Sequence, residues 1–90
     1  MNLWIDNYDR MIRRNRATGF AIYHCLMVTF LEHKQTMFSG ITDRDITLIS
    51  ERLLVSERWV RHILCKYHLF WVMLGEYYPE PGWQERVLDI

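Results

Sequence analysis

The stretch of residues 42–67 constrains the fold of this chain most, because it contains two helix signals separated by a short corner. Thr42 and Asp45 have the spacing of a capping box, in which two side chains satisfy free amide groups at a helix start. Ser56 is a favourable N-cap for a second helix. The sequence therefore predicts two short helices joined by a corner at Leu54.

The second of these helices has two opposite faces. Four apolar residues recur at i, i+3, i+4 and i+7, and we expect their stripe to face the core. They are Val60, Ile63, Leu64 and Tyr67. The side chains at helical spacing on the opposite face are expected to be exposed: Arg58, Arg61, His62 and Cys65.

Upstream of this stretch, the chain predicts two further helices. Residues 2–14 place apolar side chains at helical spacing, and a polar corner follows at residues 15–19. From there to about Lys34 nearly every side is apolar, so we expect a buried central helix. Residues 36–41 contain the helix breaker Gly40 and are expected to form a brief strand or an extended connector.

Downstream, the pattern changes to that of two strands. Residues 69–74 are rich in strand-forming side chains. A Pro-Gly pair at residues 81–82 favours a turn within residues 79–82, and residues 84–90 are expected to return as the second strand.

Residues 42–67 resemble the helix-turn-helix family of DNA-binding domains. The residues that carry the resemblance are Ile49, Ser50, Leu53, Leu54, Val55, Ser56, Val60 and Ile63. At the turn the family usually has glycine where this chain has Leu54, so we expect either a different turn or a strained Leu54.

With the two strands that follow, the chain resembles a winged helix-turn-helix domain with an N-terminal helical extension. The resemblance implies a fold that is mainly α with a small β-hairpin (α+β). It also implies one domain over residues 1–90, with the motif at about 42–67 and the wing hairpin at about 69–90.

The resemblance implies contacts between DNA and the helix after Ser56, which would lie in the major groove. The implied DNA-contacting residues are Ser56, Glu57, Arg58, Arg61, His62 and Cys65. A basic run near the end of the first helix adds candidate phosphate contacts at Arg13, Arg14 and Arg16, although cations at a helix end also fit a merely solvated terminus.

The expected function is sequence-specific binding of double-stranded DNA, as a transcriptional regulator or a replication factor of a mobile element. Because one recognition helix contacts few base pairs, specific sites favour a homodimer. Trp4 and Tyr8 in the first helix are the candidate dimer contact, and packing on their own core is the alternative.

Charge supports a competing hypothesis. The chain has 11 basic and 11 acidic residues, with residues 1–68 at 10 − 7 = +3 and residues 69–90 at 1 − 4 = −3. The expected wing is acidic at Glu76, Glu80 and Glu85, and carboxylates repel a phosphate backbone. The aromatic residues near its turn would then either contact a protein partner or cover the core: Tyr77, Tyr78 and Trp83.

Other functional classes find little support in the sequence. No glycine-rich phosphate loop or nucleophile elbow is present, so we expect neither an enzyme nor a cofactor. His62, Cys65 and His68 would spread over about 120° of a helix, which does not favour a zinc site. With two distant cysteines, no signal-peptide pattern and no apolar run of membrane length, a cytoplasmic protein is expected.

Overall fold

The computed structural model describes residues 3–36 and 39–80, which form three helices followed by a two-stranded antiparallel hairpin. The helices are α1 (Leu3–Thr36), α2 (Asp43–Leu53) and α3 (Glu57–Lys66), and the strands are β1 (Phe70–Met73) and β2 (Glu76–Pro79). The predicted class, mainly α with a small β-hairpin, is confirmed. None of the three helices combines the length and the apolar character that a membrane span requires.

α1 is one helical stretch with a kink where the sequence predicts a corner. Arg16 has φ 57° and ψ −145°, which are not helical values and are unfavourable for a residue with a Cβ. Gly19 gives the kink room, because a Cβ at this position would lie 2.4 Å from the Cβ of Asn15. The two predicted N-terminal helices are therefore the two halves of α1.

α2 begins with the predicted capping box. The Thr42 hydroxyl accepts from the Asp45 amide at 3.4 Å, and the Asp45 carboxylate accepts from the Thr42 amide at 2.8 Å. The helix ends at Leu54, which is left-handed with φ 57° and ψ 41° and whose amide donates to the Ser50 carbonyl. Leu54 is 91% exposed, so burial does not offset its unfavourable backbone.

The hairpin differs from the prediction in its turn and in its second strand. Phe70 pairs with Pro79 and Met73 with Glu76, so β2 precedes the predicted turn at residues 79–82 and overlaps it only at Pro79. The turn is at Leu74 and Gly75, which have φ 52° and 78°, and positive φ at both central residues suits the twist of a tight hairpin. The predicted second strand, residues 84–90, lies outside the described residues.

Ile41 connects the hairpin to the start of α2. Its amide donates to the Tyr77 carbonyl and its carbonyl accepts from the Tyr77 amide, both at 2.9 Å. Of the connector predicted for residues 36–41, the bridge gives extended pairing at Ile41, while Thr36 is the last residue of α1. The bridge places β2 between Ile41 and β1.

The three helices and the hairpin enclose a core to which every element contributes. α1 and α3 supply most of it, and the predicted inward stripe of α3 is confirmed, since its four members are at most 1% exposed. The buried core residues are Trp4, Met11, Ile22, Tyr23, Leu26, Met27, Ile41, Ile46, Ile49, Val60, Ile63, Leu64, Tyr67, Leu69 and Phe70.

Candidate nucleic-acid interface

The outward face of α3 is fixed by the stripe that it buries. Ser56 caps the helix as predicted, and its hydroxyl accepts from the Trp59 amide at 3.1 Å. Because the buried stripe occupies one side, the opposite side meets solvent. The exposed polar residues on α3 are Glu57, Arg58, His62, Cys65 and Lys66, and Arg61 is half-buried.

Two of the predicted DNA-contacting residues are bonded to α2. Arg61 donates to Asp43 at 3.2 Å in an ion pair that is open to solvent, and such pairs are weak in water. Glu57 accepts from the hydroxyl of Thr47 at 2.8 Å. Arg58 has no ion-pair partner within residues 3–36 and 39–80, so its guanidinium is free to contact another molecule.

A polar network joins the kink of α1 to the side of α3. The Asn15 amide donates to the Met11 carbonyl at 2.9 Å and to the Tyr67 hydroxyl at 3.0 Å, and its oxygen accepts from the Trp59 indole at 3.1 Å. The Tyr67 hydroxyl proton is then available to Nε2 of His62, 3.2 Å away. Trp59 is therefore a positioned side chain, 36% exposed, at the edge of the outward face of α3.

The three arginines predicted on α1 lie in different surroundings. Arg13 lines a surface cleft with Asp6 and Asp9, and Arg16 is the exposed residue at the kink. Arg14 lines that cleft as well, and it also lines a second cleft together with Lys66 at the end of α3. Thus α1 and α3 bring basic groups together at the C-terminal end of α3, away from Arg58.

The hairpin carries one carboxylate next to its turn, that of Glu76, and two hydrogen bonds hold it. The Glu76 carboxylate accepts from the Gly40 amide and from the Tyr78 hydroxyl, each at 2.9 Å. The first of these bonds, followed by the second, lowers the pKa of Glu76, while the bond to Glu76 raises the pKa of Tyr78. The rest of the exposed tip consists of apolar side chains from β1 and the turn: Trp71, Val72, Met73 and Leu74.

The residues predicted for protein contact are divided between the core, the hairpin and the undescribed segment. Trp4 is 4% exposed and stacks on Tyr8 with ring centroids 5.1 Å apart, so it packs on its own core and offers little surface to a partner. Tyr77 is half-buried beside Cys65, and burial raises the pKa of its hydroxyl. Tyr78 stacks on Trp71 at 4.6 Å. Trp83 lies outside the described residues.

Sequence reasoning missed two groups of polar residues. Asn15 was predicted only as part of the polar corner and Lys66 was given no role, because their roles depend on how α1 lies along α3. The role of His33 was also missed: its Nε2 lies 3.2 Å from Asp45 and its Nδ1 lies 3.1 Å from the hydroxyl of Ser39. Since Asp45 also holds the Thr42 cap, these contacts fasten the end of α1 to the start of α2.

The described part of the chain contains no group of three His, Cys, Asp or Glu side chains that could hold a metal ion. Both cysteines are free, with Cys25 half-buried and Cys65 exposed. No family model matches the chain, and neither a curated protein nor a solved structure matches it.

Proposed function

We propose that this chain is a winged helix-turn-helix protein that binds double-stranded DNA with α3 in the major groove. The role would be that of a sequence-specific transcriptional regulator or of a replication factor of a mobile element. In such domains the N-terminal residues of the second helix contact base edges.

The observation that carries this proposal is the exposed Arg58 on the outward face of α3. Arg58 projects from the first turn of a helix whose other face is buried, and no carboxylate of the described residues pairs with it. An arginine at this place can donate two hydrogen bonds to a guanine. His62 and Cys65 extend the same exposed face toward the C-terminal end of the helix.

One carboxylate beside the hairpin turn opposes DNA binding. Glu76 accepts from Gly40 and Tyr78, and because these bonds lower its pKa it stays ionised and repels the phosphate backbone. The rest of the exposed tip is apolar. The hairpin therefore contributes little attraction to DNA, and α3 and α1 would supply it.

Titration of a short labelled duplex of mixed sequence, followed by fluorescence anisotropy at several salt concentrations, tests the proposal. The chain should bind at low salt and lose affinity steeply as salt rises, because bound counterions are released from DNA. Arg58→Ala should weaken binding and flatten the salt dependence. Arg52→Ala is the matched control, because Arg52 lines a cleft with Glu32 and Asp45 between α1 and α2. No binding by the unaltered chain at low salt would refute DNA binding.

The apolar hairpin tip favours a second candidate, a winged-helix module that binds protein. Val72 and Met73 on the edge strand and Leu74 in the turn are exposed without an apolar cover among the described residues. Exposed apolar patches of this kind often mark contact surfaces. Sedimentation velocity of the chain and of a Val72→Thr variant over a range of concentrations tests this candidate. Self-association that the variant abolishes, together with no affinity for DNA, would favour it.

A further inference from the structure

A basic cleft lies between the N-terminal half of α1 and the end of α3. Its volume is about 290 Å³, and its lining residues are Arg10, Arg14, Lys66, Tyr67 and His68. Arg10 and Arg14 are four residues apart and so lie on one face of α1, one helical turn from each other. Lys66 is the last residue of α3, and His68 follows in a left-handed conformation with φ 56°.

The positive charge of this cleft is not balanced by acidic side chains inside the cleft. None of its lining residues is acidic. Within residues 3–36 and 39–80, neither Arg14 nor Lys66 takes part in an ion pair, and Arg10 donates only to the neutral amide oxygen of Asn7 at 3.2 Å. The nearest carboxylates on α1, Asp6 and Asp9, line a neighbouring cleft that Arg10 and Arg14 also line, so they lie outside the basic cleft but close to its two arginines.

These side chains suit a tetrahedral oxyanion. Arginine offers a planar fork of N–H donors to a phosphate, and lysine adds a compact point charge. The base of the cleft is Tyr67, which is buried and whose hydroxyl is bonded to Asn15 and lies beside His62. Because the same network joins α1 to α3, it holds the helix segments that carry these cations beside each other.

We propose that this cleft binds a phosphate of the DNA backbone. The inference rests on the proposed function and adds the place where the backbone is held. Lys66 lies eight positions beyond Arg58, which corresponds to about 12 Å along the helix. When Arg58 contacts bases near one end of α3, the cleft at the other end lies at the edge of the major groove, where the phosphates are.

The test compares Arg14→Gln, Lys66→Gln and the double variant with the unaltered chain, using the labelled duplex at several salt concentrations. Arg13→Gln is the control, since it makes the same charge change one position from Arg14, at a residue that does not line the basic cleft. We expect the double variant to lower the salt slope by about one and to weaken binding by about an order of magnitude at ~0.1 M salt. The loss should be the same for duplexes of different sequence, and circular dichroism confirms folding.

Three results would count against the cleft in different ways. A double variant that keeps the wild-type slope and affinity, while Arg58→Ala loses affinity, refutes the cleft and leaves DNA binding intact. Equal losses in Arg13→Gln and Arg14→Gln refute a specific site in favour of diffuse charge. If inorganic phosphate shifts the amide resonances of Lys66 and His68 but the chain binds no DNA, the site takes free phosphate and the assignment to DNA is wrong.

Discussion

The side-chain amide of Asn15 donates to the hydroxyl of Tyr67 at 3.0 Å, across a sequence separation of 52 residues. This bond joins the kink of α1 to the end of α3 and lies beside both candidate DNA-contacting surfaces, the outward face of α3 and the basic cleft. The orientation of α1 relative to α3 therefore depends on a few polar contacts as well as on the core.

Removing this network should destabilise the fold measurably. Asn15→Leu removes three hydrogen bonds and leaves the Trp59 indole and the Met11 carbonyl to water, so we expect a loss of about 2 kcal/mol in the free energy of unfolding. Tyr67→Phe should lose about 1 kcal/mol, because only the hydroxyl is removed. Urea denaturation measures both values.

A double variant with both Asn15→Leu and Tyr67→Phe tests whether the two residues stabilise the fold through their shared hydrogen bond. If the bond between Asn15 and Tyr67 is responsible, the combined loss should be smaller than the sum of the single losses by roughly 1 kcal/mol. Simple addition of the two losses would mean that each residue acts through other contacts.

Leu54 offers a substitution that should stabilise the chain. A left-handed backbone costs a leucine about 1–2 kcal/mol, and the exposed side chain gains little from packing. Leu54→Gly removes that cost but raises the entropy of the unfolded chain, so we expect a net gain of about 0.5–1 kcal/mol. Thermal denaturation by circular dichroism reports the change.

Leu48→Gly is the matched control, because Leu48 is also an exposed leucine but lies within α2. Glycine there should cost about 1 kcal/mol, since it lowers helix propensity. A loss of stability in both Leu54→Gly and Leu48→Gly would contradict a strained turn at Leu54.

The lowered pKa of Glu76 predicts that the stability of the fold depends on pH. Its pKa is lowered in the folded chain, chiefly by the Gly40 amide and then by the Tyr78 hydroxyl, so the unfolded chain binds the proton more readily. The ionised carboxylate therefore stabilises the fold above the ordinary glutamate pKa of about 4.3, and this contribution is lost as the pH falls through the lower folded-state pKa.

Glu76→Gln isolates this contribution, because it removes the charge and keeps an acceptor oxygen. The variant should melt below the unaltered chain at neutral pH, and the two melting temperatures should converge in acid. Glu51→Gln, at an exposed site on α2, should leave the melting temperature nearly unchanged at every pH. If the difference in melting temperature between Glu76→Gln and the unaltered chain persists at low pH, its cause is the altered packing of the side chain and not the loss of charge.

The elements that were predicted correctly from the sequence are those that depend on residues close together in the chain. The Thr42–Asp45 capping box, the Ser56 cap and the buried stripe of α3 depend on residues within one or two helical turns. The predicted hairpin position was wrong because the Pro81-Gly82 signal outweighed Leu74-Gly75, where the hairpin turns. A turn with positive φ at both central residues rarely has leucine at the first, so local sequence did not indicate it.

The candidate site was less predictable because its members come from distant parts of the chain. The exposed face of α3 followed from helical periodicity alone. The meeting of Arg14 with Lys66 did not, since it requires the kink at Arg16 and the bond from Asn15 to Tyr67. Likewise, the sequence shows that Glu76 is charged, but it does not show the two groups that donate hydrogen bonds to its carboxylate.

The bridge between Ile41 and Tyr77 has a consequence for how the molecule opens. Its two backbone bonds close the chain into a ring that contains α2, α3 and β1. Closing such a ring costs conformational entropy, and this cost grows slowly with the size of the ring. The two bonds between Ile41 and Tyr77 keep the ring closed. The amides of Ile41 and Tyr77 should therefore exchange with deuterium together, and only when the ring opens as a unit.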